Sequence, residues 1–187
     1  QEGDNESAAI KGFFRNEVER QNAILEKGYL FSAANEAFLN YIDLSTIRVI
    51  MDGDVDLPRK KGEAGACLSG IKRPALTDRN FEWVVGADLR QNWANDKLEK
   101  TETDGNLLED EKYINYNELM YAQAWCTVAE ELVSASPAGG EPINESAWKG
   151  IAEDKLGEAQ ELEMPDEDTA NRLDMAEKSF DKGLYGA

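Results

Sequence analysis

The chain has 187 residues, with 38 Asp and Glu against 20 Lys and Arg and no histidine, which leaves a net charge of −18. Such a surface repels nucleic-acid phosphates and anionic membranes, so nucleic acid is not an expected partner. The missing imidazole excludes Ser-His-Asp and Cys-His catalysis and removes the commonest transition-metal ligand.

From Ser7 to about Asp43 the apolar spacing is helical. Ile10, Phe14, Val18 and Leu25 fall near one stripe, widened by Phe13 and Ile24. Leu30, Ala34, Ala37, Phe38, Tyr41 and Ile42 then recur at three and four residues. An unbroken helix here would span about 54 Å at 1.5 Å per residue, and Gly28 is the place where it divides. The next stretch has two readings. Ile47–Met51 is β-branched and precedes Asp52-Gly53, with Val55 and Leu57 alternating after it, which suits a small hairpin near 47–57. The favoured reading is a helix that ends near Met51 and runs into a loop. Residues 58–77, with Pro58, Gly62, Gly65, Gly70 and Pro74, read as irregular chain. A loop of that length needs something to pin it, and Cys67 lies in its middle.

Phe81, Val85, Leu89 and Trp93 repeat every four residues and predict a helix over about 79–99. An acidic loop follows at 101–111. Tyr121, Trp125, Val128 and Leu132 mark a helix over about 113–134, ended by Ser136-Pro137-Ala138-Gly139-Gly140. Asn144 is a good cap for a helix whose apolar face holds Trp148, Ile151, Ala152, Leu156, Ala159 and Leu162 and which Pro165 stops. A last helix turns Leu173, Ala176 and Phe180 inward and ends at Gly183. Asp166, Glu167 and Asp168 sit at its start and Lys178 and Lys182 near its end, as the helix dipole favours. The expected fold is therefore mainly α: an irregular helical domain of four to six helices with a long N-terminal helical region. We expect one domain over 1–187, comprising a helical region at 1–43, a disulfide-linked core at 44–135 and a helical pair at 144–187.

Cys67 and Cys126 are 126 − 67 = 59 residues apart and have no metal-ligand spacing. Their even number fits a disulfide, and two separate buried thiols are the alternative. The sharpest local motif is Asp52-Gly53-Asp54-Val55-Asp56, with Glu63 eleven positions after Asp52 (63 − 52 = 11). Alternate carboxylates and a later glutamate suit calcium, which takes six to eight oxygen ligands. Asp52, Asp54, Asp56 and Glu63 are thus the candidate metal ligands. The spacing resembles an EF-hand loop, but Leu57 stands where the sharp-turn glycine belongs, Pro58 follows, and Lys60 holds a later ligand position. No catalytic residue and no bound cofactor other than calcium is expected.

No apolar run reaches the roughly 20 residues that cross a bilayer. The chain opens on Gln1 without a signal-like segment, which reads as a processed or trimmed chain. Asn5-Glu6-Ser7 and Asn144-Glu145-Ser146 match the glycosylation sequon of exported proteins. The functional expectation is a non-enzymatic structural or interaction protein, extracellular or at the cell surface. It would act through contacts with protein partners, copies of itself included, as an assembly or accessory subunit. Arg15, Arg20, Arg59, Lys60 and Lys61 are where a neighbour's carboxylates would dock. Two alternatives stand beside this. A carboxylate-dependent glycan hydrolase would use two close carboxylates, with Trp83, Trp93, Trp125 or Trp148 stacking on sugar. A calcium-binding module would use the motif at 52–63.

Overall fold

In a computed structural model that describes residues 2–53, 55–162 and 166–186, the chain is mainly α-helical. The helices are α1 (Glu2–Glu26), α2 (Leu30–Asp52), α3 (Leu57–Gly70), α4 (Phe81–Lys100), α5 (Glu109–Ala135), α6 (Lys149–Gln160) and α7 (Glu167–Asp181). A 3-10 turn at Glu145–Trp148 leads into α6. Among the described residues there is no strand, and one isolated bridge pairs Thr77 with Pro142.

The long N-terminal region is a hairpin of two helices rather than one rod. Gly28 adopts φ +83°, a left-handed conformation that costs glycine nothing, and the chain reverses there. Arg20 then reaches Glu36 across the pair. Phe14 is buried, and Gln21 and Ile24 on the same stripe are half-buried. α2 runs on through the β-branched residues 47–50 to Asp52, where left-handed Gly53 caps it. Burial overrides propensity here, since Val49 packs against the central apolar cluster.

Residues 57–70 correct the expectation of irregular chain, because they form α3. Asp56 accepts the Arg59 backbone N–H at 2.9 Å, and Pro58 sits in the first turn, where its missing N–H costs nothing. Gly62 and Gly65 each cost a helix about 1 kcal/mol relative to alanine. Burial of Leu57 and Ala64 and a covalent bond from Cys67 offset that cost. α3 brings the helix count to seven, one more than the upper end of the expected range.

The centre of the molecule is α3, α4 and α5, with α2 against α5. Ile42, Leu57, Tyr116, Leu119, Met120 and Ala124 form its apolar cluster. Between α4 and α5 the buried residues are small: Ala87, Ala94, Ala122 and Ala129 let the two axes approach closely. Trp125 closes one side, 4.4 Å from Phe38 and 4.8 Å from Trp93 between ring centres. Cys67 and Cys126 are bonded, joining α3 to α5. In the chain-entropy account a closed loop of this length is worth about 4 kcal/mol.

The segment after α5 is tied to the one before α4. Thr77 Oγ1 donates to the Gly139 carbonyl at 2.9 Å, the Asp78 N–H donates to the Glu141 carbonyl at 3.1 Å, and the Glu141 N–H donates to the Asp78 carboxylate at 2.9 Å. Gly140 has φ +100°, and any Cβ there would come within 2.5 Å of the Asp78 carboxylate. Arg73 locks the same corner. Its Nε donates to Asp88 on α4 at 2.9 Å, while its two terminal nitrogens grip Glu145 at 3.0 and 2.8 Å. α7 then lies on α4, and among the described residues α6 packs on α7 and on the 3-10 turn.

Candidate functional site

The candidate calcium ligands do not share one element. Asp52 ends α2, is exposed, and lies 3.8 Å from Arg48. Asp54 lies outside the described residues. Asp56 caps α3, and Glu63 sits two turns on, with Arg59 3.6 Å from the first and 3.8 Å from the second. Lys60 adds a second cation 3.6 Å from Glu63. Among the described residues, no three His, Cys, Asp or Glu side chains gather closely enough to hold a metal ion.

The basic residues singled out for a neighbour are largely engaged within the chain. Lys60 Nζ donates to the Gln123 side chain on α5, and Lys61 Nζ donates to the Thr101 carbonyl at 2.7 Å. Burial lowers the Lys60 pKa. Arg20 pairs with Glu17 and Glu36. Arg15 is exposed on α1.

Among the described residues two carboxylates are buried, Asp88 and Asp96, both on α4. Burial pushes the Asp88 pKa up, against the pull of Arg73. Burial would also raise Asp96, but hydrogen bonds from Lys178 and Lys100, at 2.8 and 2.9 Å, outweigh it and hold that carboxyl below its usual range. Eight residues of helix separate the two by about 12 Å, beyond the carboxyl spacing of either class of glycosidase. Trp93 and Trp125 pack together under the Arg90 guanidinium, 5.1 and 5.8 Å from their ring centres. Trp83 is exposed on α4, and only Trp148 borders an extensive cavity.

That cavity is an open groove of about 810 Å³ between α6 and α7. Leu156 of α6 and Leu173 and Phe180 of α7 face one another across it, with Trp148 and Tyr185 at its end. Its volume falls within the range of about 300–1,000 Å³ typical of ligand sites. No residue of α6 is buried, and Ile151 and Leu162 are 62% and 67% exposed. Among the described residues the charged ones that line it are Lys155, which pairs with Glu158 at 2.7 Å, and Arg172. α7 meets α4 through polar groups: Asn92 donates to Ser179 at 2.7 Å, beside the Lys178–Asp96 contact. The apolar faces of α6 and α7 are thus left to each other and to the groove. Their spacing is plain in the sequence as two amphipathic helices, but no signal in it says that the face stays uncovered.

No protein-family model, no curated protein and no solved structure matches this chain. Among the described residues no helix is long and apolar enough to cross a membrane.

Proposed function

We propose that this protein is a non-enzymatic interaction protein, an assembly or accessory subunit that works outside the cell through contacts with other proteins, copies of itself included. The observation that carries this reading is the apolar groove of α6 and α7, whose outer helix has half-buried residues but no fully buried one. Contiguous apolar surface rimmed by polar residues marks interaction sites in soluble proteins. The Cys67–Cys126 bond supports an oxidising compartment, since such bonds persist outside the cytosol.

At −18 per chain, copies repel one another at low ionic strength. The Debye length falls from about 10 Å at 0.1 M salt to about 3 Å at 1 M. Sedimentation across that series should show association that strengthens with salt. A strict monomer throughout, at high protein concentration, would remove self-association from the reading.

A further inference from the structure

We infer that Asn144 accepts an N-linked glycan, and that of the two sequons in the chain it is the one modified. This rests on the location outside the cell proposed above. The sequon Asn144-Glu145-Ser146 lies between α5 and α6, at the start of the 3-10 turn. Transfer to such a site needs a side-chain amide and a hydroxyl two residues on, both within reach of a large enzyme. Asn144 and Ser146 are both exposed. Asn144 Oδ1 accepts the Ser146 backbone N–H at 3.2 Å, which folds the sequon into a turn and brings Ser146 back towards the amide. That bond engages the oxygen and leaves the nitrogen. Among the described residues, neither Asn144 Nδ2 nor Ser146 Oγ has a hydrogen-bond partner.

The corner that presents this turn is fixed on both sides. The Ile143 N–H donates to the Leu76 carbonyl at 3.0 Å, and the Ala147 N–H donates to the Asn144 carbonyl at 3.0 Å. Glu145, the middle residue, bears a charge that would repel a phosphate-bearing donor. Arg73 offsets it by holding that carboxylate at 3.0 and 2.8 Å. In the transfer, Asn144 Nδ2 attacks the anomeric carbon of a sugar carried on a lipid phosphate. The N–C bond forms, the bond from that carbon to the phosphate oxygen breaks, the lipid phosphate leaves, and Nδ2 gives up one proton. Asn5 is placed differently. It lies inside α1, where helix geometry directs the Ser7 N–H to the carbonyl four residues back, so the turn that Asn144 makes is not open to it.

Export of the full chain behind a cleavable signal, from a host cell that glycosylates, tests this. The secreted chain should carry one glycan that peptide N-glycosidase removes. Release converts the modified asparagine to aspartate, and peptide sequencing by mass spectrometry should find that change at Asn144. Asn144→Gln and Ser146→Ala should each abolish the modification, and Asn5→Gln should leave it intact. Ser146→Ala keeps the asparagine and the backbone N–H of its turn, so loss there reads recognition and not folding. A secreted chain without glycan, or a glycan that survives Asn144→Gln and disappears in Asn5→Gln, would overturn the inference. If that unmodified chain still associates in the salt series, the contact function stands without the site. Free thiols at Cys67 and Cys126 in protein taken from its own cells would instead remove the location outside the cell, and the inference with it.

Discussion

The α3–α5 centre and the α6–α7 pair are built from the same kind of helix and end in opposite situations. In both, apolar residues recur at three and four positions. In the centre each apolar face meets another: Leu119 and Cys126 are fully buried, and a disulfide fastens the packing. In the C-terminal pair the faces meet only partly, α6 has no fully buried residue, and attachment to the rest of the chain includes polar contacts between α7 and α4. An amphipathic pattern therefore states that a face needs covering; it does not state by what. The centre is covered by its own chain, and the pair is open to another.

Perturbing the two regions equally should give unequal results. The largest expected effect is loss of the disulfide: Cys67→Ala with Cys126→Ala should lower unfolding free energy by about 4 kcal/mol, read from urea titration. Leu119→Ala follows, with a cost of about 3 kcal/mol for a buried leucine whose cavity cannot collapse. The acid limb of the stability curve comes next. Asp96 has a folded pKa below its unfolded value, so its contribution is full above about pH 4 and drains away as pH falls through the folded pKa. Asp96→Asn should flatten the loss of stability on acidification. Asp88, raised by burial, acts with the opposite sign and favours the folded state as pH falls. The smallest effect is expected at Ile151→Ser on α6, within about 0.5 kcal/mol, as for ordinary surface sites. Hydrogen exchange should sharpen the contrast, with α6 amides opening far more readily than those of α5 around Leu119. Equal protection of both helices would break the comparison.

Most helices were legible because their apolar spacing and caps agree. Asp166, expected at the start of the last helix for its charge, caps α7 through the Thr169 N–H at 2.7 Å, and Gly183 ends that helix with φ +77°. The cysteine pairing was legible from the even count, although the long loop expected around Cys67 is the helix α3. α3 was not, because Gly62, Gly65 and Pro58 are breakers by local propensity, and only the contact with α5 makes a helix the better choice. Lys60 and Lys61 misled for the same reason. A cation beside two glycines reads as solvated, whereas Gln123 and the Thr101 carbonyl, which hold these two, are about sixty and forty positions away in sequence. The groove was half legible: its residues stand out as apolar faces, but whether a face is covered depends on distances between elements that no single segment encodes.

The bond between Cys67 and Cys126 makes part of this protein a closed covalent circle. The circle contains the whole of α4 and the acidic stretch at 101–108, whereas α1, α2, α6 and α7 hang from it as open ends. A protease that cuts the exposed backbone around Asp104–Asn106 would therefore release nothing. The nicked chain would keep its mass and its two tails, and would separate into fragments only after reduction. Such a circle lets the chain be cut at its acidic turn and still keep both tails joined through one covalent bond.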